Sequence, residues 1–309
     1  MWTMYDRAQL ACYSGGIMKT KRNSYLHAIS FIIPSLLIFL MFVYYPFISS
    51  LYYSFTQWDG INKPVFIGLD NYKNLFHDKL VLHAALNTLY IVIFCSIINN
   101  PLSLFLALLL HKPLKMKGFL RSVFYIPVVI SMVVVSVIWG NLLQYEGVIN
   151  AVLKKIGLAT LIHDWLGDTS TSLITIILIN VWYATGYGAV IYLAGLESIP
   201  HEIYEAARID RAEGWTKFRH ITLPLVMPSV TICTFLGMVG SLKFFDLPYV
   251  LSNGGPGDST STLALIIYNF AFQNSTFGYA TAAGILFMIL VLIVTTLQLR
   301  YTRKREVEY

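Results

Sequence analysis

The sequence predicts an all-α integral membrane protein with six transmembrane helices and a further helical segment on the cytoplasmic side, between the fourth and fifth spans. Three observations carry that expectation. The 309 residues are 56% hydrophobic and only 12% charged, with a mean hydropathy of +0.63, whereas a soluble domain carries about 25% charged residues. Six apolar runs are long enough to cross the hydrocarbon core, which takes about 20 residues. The basic residues alternate between loops: sixteen Lys and Arg fall in one set and five in the other, with Lys243 inside a span. Basic loops stay on the cytoplasmic side. The net charge of +6 therefore reflects topology in a bilayer and does not point to nucleic acid.

Residues 1–26 read as a cytoplasmic tail. The stretch MWTMYDRAQLACYSGG fits nothing, while Met18 opens an ordinary lead-in to a span, which points to a mis-assigned start covering residues 1–17. The first span runs from His27 to Phe47. Pro34, the Tyr44-Tyr45-Pro46 end and the lack of a small-residue cleavage site separate it from a signal peptide. In the first outer loop, Asp70 is placed to cap a short helix with Tyr72, Leu75 and Phe76 on one face, at the membrane surface. The second span is Ala84 to Leu110, the third Phe119 to Leu143, the fourth Leu173 to Leu193 and the fifth Leu225 to Tyr249. The sixth is Tyr279 to Leu299, where Ala280 and Gly284 have the small-residue spacing of packed helices, inside the chain or against a second subunit. Residues 27–300 thus form one transmembrane domain and 301–309 a cytoplasmic tail. Both termini lie on the basic, cytoplasmic side.

Between Glu202 and Arg219 stand eight charged residues, the densest cluster in the chain. Pro200 suits a helix start, and Glu202 and Glu205 fall in the early turns, where the helix dipole favours acids. Ala206 and Ala207 beside Tyr204 give a small, partly apolar strip. Trp215, Phe218 and Ile221 recur at spacing three in a second amphipathic segment, which Leu223-Pro224 ends. A solvated loop is one reading. A rigid helix with a small-residue face suits docking on another protein.

Several chemistries are missing. There is no G-x-x-x-x-G-K-[ST], so no ATP is expected on this chain through a P-loop. GGPGDST, Gly254 to Thr260, has the glycines without the lysine and reads as a tight outer turn. HEIYE, His201 to Glu205, lacks the second histidine of a zinc helix. His163-Asp164 has no nucleophile at a recognisable spacing, and Cys12, Cys95 and Cys233 are too scattered for a metal site or a disulfide framework. Polar groups inside spans are the better functional candidates: Asn180, Trp182, Tyr183 and Tyr187 in the fourth, Lys243, Asp246 and Tyr249 in the fifth, Asn141 and Gln144 at the end of the third. Aromatic faces beside hydrogen-bonding groups suit a sugar. Trp and Tyr near span ends also serve as interface anchors. Lys243 and Asp246, three residues apart, share a face in a continuous helix, either as a structural pair or as part of a sugar path.

The segment AGLESIPHEIYEAARID, Ala194 to Asp210, with FRHITLPLVMP, Phe218 to Pro228, resembles the EAA-loop signature of permease subunits of binding-protein-dependent ABC sugar importers of the maltose and glycerol-phosphate type. FDLPYVLSNGGPG, FIGLDNYKNLF and KGFLRSVFYIPVVIS resemble further motifs of that family, and the likeness runs from Met18 onward. It implies that the charged cluster is a coupling helix, with Glu205, Ala206, Ala207, Asp210 and Gly214 at a separate ATPase subunit. The polar and aromatic groups inside the spans, Trp182, Tyr183, Tyr187, Lys243, Asp246 and Tyr249, are then the candidates for its substrate path. The likeness also implies a solute-binding protein outside, at Asn253, Gly254, Gly255 and Pro256. The implied partners are a second permease and two ATPases that hold ATP and magnesium, in a bacterial or archaeal cytoplasmic membrane. One position departs: the family has glycine where this chain has Arg211, with Gly214 three residues on, so the bend shifts or the helix continues. An ion-coupled transporter would need more buried ionisable groups, and a membrane transferase would need an acidic or histidine cluster at the membrane face.

Overall fold

The computed structural model describes residues 32–112 and 115–306. The tail over 1–26, the start at Met18, Cys12 and residues 307–309 lie outside the described residues. Helix α1, Ile32–Tyr53, runs past the expected end at Phe47. Pro46 has no N–H, and its ring would press on the carbonyl four residues back. A widened turn over Leu40–Tyr44, in which the Tyr45 N–H reaches the Leu40 carbonyl, takes up the misfit.

A two-stranded antiparallel ribbon follows, β1 (Thr56–Gln57) against β2 (Val65–Phe66), with Thr56 opposite Phe66. Helix α2, Asp70–His77, is the expected short helix, but Leu69 holds the N-cap position and no side chain caps it. Asp70 instead lies within the first turn, where the dipole favours it, and pairs with Lys73 at 3.2 Å. Leu75 and Tyr72 pack beside Ala282 and Ala283, while Phe76 points outward.

Helix α3, Lys79–His111, begins where the Asp78 carboxylate accepts the Leu80 N–H at 2.9 Å and carries Pro101 inside it. The third apolar run is not one helix. It divides into α4 (Lys117–Val129) and α5 (Met132–Leu143), with Ile130 and Ser131 extended. Pro127 cannot donate within the last turn of α4, and the Tyr183 hydroxyl is shared between the Val128 and Ile130 carbonyls at 3.3 Å each. A short α6 (Val148–Lys155) precedes α7 (Ser172–Glu197), which is unbroken and central: 56% of its apolar window is buried, against none of α1.

The charged cluster folds as α8 (His201–Ile209) and α9 (Gly214–Leu225). Pro224 and Pro228 flank the junction with α10 (Met227–Leu242), and the two helix axes bend by 66° there. The fifth run does not continue as a helix to Tyr249. Helix α10 ends at Leu242, Lys243 to Phe245 are non-helical, and α11 (Asp246–Ser252) starts afresh. Helices α12 (Leu263–Gln273) and α13 (Phe277–Arg303) complete the chain. Among the described residues five helical stretches are long and apolar enough to cross a membrane, with α5 and α6 counted together as Met132–Lys155 in place of the expected Phe119 to Leu143, and six if the bent pair is one span.

Helix α7 packs against α3, α4 and α10. One apolar cluster joins Ile91, Ile176 and Leu247, and a second joins Tyr192, Leu196 and Val226. Ala280 is buried beside Ala84 and Phe270 in a third, so its small side chain serves packing inside this chain.

Candidate translocation cavity and its two ends

Where α3, α7 and α10 meet, they enclose a cavity of about 330 Å³, within the range of small-molecule sites. Helical periodicity decides what lines it. Helix α7 presents Asn180, Tyr183, Ala184, Tyr187 and Gly188, one face at spacings of three and four. Helix α10 presents Cys233, Leu236, Gly237, Gly240 and Ser241 in the same rhythm, and α3 adds Cys95, Ser96, Asn99 and Asn100. The break after α10 supplies Lys243, Phe244, Phe245 and Asp246.

Of the expected path residues, Tyr183, Tyr187, Lys243 and Asp246 therefore meet at one cavity. Trp182, one position round from Tyr183, faces away and sets its ring edge-on to Trp139 at 5.4 Å. Tyr249 stacks on Phe245 at 5.1 Å and does not reach the cavity. Asn141 hydrogen-bonds the Val137 carbonyl, and it and Gln144 lie outside the lining. Lys243 and Asp246 do not share a helical face, because the helix stops between them. They are not among the ion pairs of 4.0 Å or less formed by the described residues. Both remain exposed at the cavity wall.

Asn99 and Asn100 were missed by sequence reasoning, although two adjacent amides before Pro101 in mid-span were a legible signal. Their oxygens are engaged: Ser103 donates to Asn99 at 2.9 Å and Tyr192 to Asn100 at 2.9 Å. Asn180 donates to the Cys95 sulfur at 3.2 Å.

At the sparsely charged end, GGPGDST is the expected tight turn. Asn253, Gly254, Gly255, Gly257 and Asp258 all adopt positive φ, which glycine takes without strain. Gly254 is buried beneath the turn, leaving Asn253, Gly255 and Pro256 more open. The turn is fastened into the bundle. Asn87 of α3 donates to the Asp258 and Ser261 carbonyls, Ser259 bonds Ser172 of α7, and the buried Thr262 donates to the Phe244 carbonyl at 2.8 Å. That carbonyl belongs to the broken segment after α10.

At the basic end, α8 stops at Ile209 and Asp210, and Arg211 takes φ +55°. The Ala212 N–H then reaches the Ala207 carbonyl at 2.8 Å and the Arg211 N–H the Arg208 carbonyl at 3.1 Å, a left-handed helix stop that glycine usually makes. The bend has not shifted, and Gly214 at φ +55° opens α9. Glu205 and Ala206 are exposed, whereas Ala207 is buried within this chain, so the two alanines lie on different faces of the helix. Ile209 and Trp215 stand 83% and 69% exposed. Lys217 places its ammonium 4.4 Å over the Tyr204 ring and holds α9 against α8.

The arrangement is that of a carrier: a cavity of mixed polar and apolar lining inside a helical bundle, a fastened turn at one end and an amphipathic pair of helices at the other. No group of three or more His, Cys, Asp or Glu is placed to hold a metal among the described residues. The chain is 35% identical, over 90% of its length and 94% of the relative's, to the "Probable starch degradation products transport system permease protein AmyD" of Thermoanaerobacterium thermosulfurigenes. It is 33% identical, over 90% and 96%, to the multiple sugar-binding transport system permease protein MsmF of Streptococcus mutans. In fold it is similar to a chain of a bacterial alginate ABC transporter solved with an alginate pentasaccharide-bound periplasmic protein. That match has a TM-score of 0.80 at 24% identity and covers 93% of this chain and 96% of that one. Residues 99–307 match the family described as the binding-protein-dependent transport system inner membrane component, and the chain belongs to that family.

Proposed function

We propose that this permease moves a carbohydrate, delivered by an extracytoplasmic solute-binding protein, through the cavity between α3, α7 and α10. The carrying observation is the composition of that wall: amides, phenols, one ammonium and one carboxylate around a space open at a helix break. Such groups suit the hydroxyls and apolar face of a sugar ring, and the names of the relatives agree. Helix α8 is the coupling helix, with Glu205 and Ala206 outward for an ATPase groove and Asp210, Arg211 and Gly214 shaping its exit. Ala207 fixes the helix to its own bundle. The turn at Asn253, Gly255 and Pro256 receives the binding protein. A second permease completes the pathway, two ATPase subunits hold ATP and magnesium, and both termini are cytoplasmic in a bacterial or archaeal inner membrane. Binding at the two ends biases the same helix bundle between two states.

The test is reconstitution with the second permease and ATPase subunits in liposomes. Sugar-loaded binding protein should stimulate ATP hydrolysis and drive uptake of labelled oligosaccharide, with no uptake when the ATPase subunits are left out. Stimulation by amino acids or peptides but by no sugar would overturn the carbohydrate reading.

A further inference from the structure

Helix α7 grips α4 at three levels. At the basic end, Glu197 Oε1 accepts from Lys117 Nζ at 3.3 Å and from Arg121 Nη2 at 2.5 Å. One turn further in, Phe124 of α4 lies so close to α7 that a Cβ on Gly186 would fall 1.9 Å from its carbonyl oxygen. At the far end of α4, the Tyr183 hydroxyl takes the Val128 and Ile130 carbonyls at the break. Tyr183, which bonds that break from α7, and Met132, which opens α5 just beyond it, both line the cavity. Three residues after Glu197, at Pro200, the chain enters α8.

We propose that Glu197 is a positioning residue for transport: it clamps α4 to α7, so that α4, α7 and α8 move as one body and displacement of α8 reaches the cavity wall at Tyr183. This rests on α8 being the segment that engages the ATPase. The Glu197, Lys117 and Arg121 side chains are 46%, 32% and 34% exposed, and pairs so open to solvent stabilise a fold little. Their geometry serves another end. One carboxylate oxygen holds two cations one helical turn apart on α4, which prevents α4 from rotating or sliding against α7. Without it, the contacts at Gly186 and Tyr183 hold only the inner half of α4 and leave its basic end free to swing. The unbroken α7 gives the body its stiffness, and the extended Ile130–Ser131 joint lets α5 move separately.

The experiment uses the reconstituted complex with its ATPase and binding-protein partners, in a background without native cysteines. The variant Lys117→Cys with Glu197→Cys removes the clamp and permits a short covalent bridge in its place. Before bridging, sugar moved per ATP hydrolysed should fall by about 2- to 5-fold, the most that ion pairs so open to solvent contribute, while binding-protein-stimulated hydrolysis persists. After bridging with a bifunctional maleimide, the ratio should return toward wild type. An unbridged variant that transports at the wild-type ratio overturns the proposal, and so does a bridge that blocks transport. If the cysteine pair does not assemble, Glu197→Arg with Arg121→Glu is read instead. Wild-type-like coupling supports the clamp, and uncoupled transport at normal assembly overturns it. A failure of the coupling-helix reading itself shows separately, as sugar uptake by the unmodified permease that does not need the ATPase subunits.

Discussion

Arg211 is the residue at which sequence and backbone disagree most openly. A left-handed conformation costs an L-residue about 1–2 kcal/mol, yet Arg211 adopts φ +55° because two backbone hydrogen bonds close the helix end there. Arg211→Gly is therefore expected to raise stability by about 1 kcal/mol, read as a higher melting temperature of the purified complex; an unchanged or lower value would show that the arginine side chain compensates. Lys243 and Asp246 give a second test. A continuous helix would have made them partners, but the break leaves each alone at the cavity. If each meets sugar hydroxyls by itself, Lys243→Gln and Asp246→Asn should each weaken transport by a charged hydrogen bond, about 1.5–3 kcal/mol. The double variant should then match the sum within about 0.5 kcal/mol. A double variant milder than either single would reveal a coupled pair.

Elements interrupted by proline or by extended residues are where this chain departs from a bundle of straight rods. Inside a bilayer a broken helix leaves backbone groups without water, so a neighbouring side chain must take them or they must line a wet cavity. Tyr183 does this for the break between α4 and α5, and Thr262 for the Phe244 carbonyl after α10. Thr262 also accepts the Leu265 N–H at the start of α12, which ties the turn at 253–258 to the cavity wall. Thr262→Val keeps the shape and removes both bonds. It should cost about 1–3 kcal/mol, the penalty of unmade buried bonds, seen as a lower melting temperature together with reduced stimulation of hydrolysis by the binding protein. Normal stimulation in a destabilised variant would separate the turn from the cavity.

At the scale of the whole molecule, the arrangement places charge at one end and a fastened polar turn at the other. The exposed α1, none of whose apolar window is buried, leaves a full helical surface for lipid or a second subunit. Orientation is open to direct measurement. In a background without native cysteines, Asp258→Cys should react with an impermeant thiol reagent in cells whose outer envelope is permeabilised, and Glu213→Cys should not. The reverse pattern would invert the topology and separate α8 from any cytoplasmic ATPase.

The sequence by itself determined the class of protein, the apolar runs that fold as its long helices and the amphipathic helix pair within residues 201–225. Those follow from hydropathy and from helical spacing, which are local. It also carried the family, through motifs such as AGLESIPHEIYEAARID. Only the tertiary structure decided which polar side chains share a cavity. Tyr183 and Trp182 are aromatic neighbours in sequence, yet one reaches the cavity and the α4–α5 break while the other meets Trp139, because rotation of α7 is set by what packs against it. Likewise Ala206 and Ala207 look alike in the sequence, and packing alone turned one outward and the other in. The breaks at Ile130 and Phe244 were hidden for the same reason: an apolar run reads as a continuous helix until a distant hydroxyl is found on its freed carbonyls.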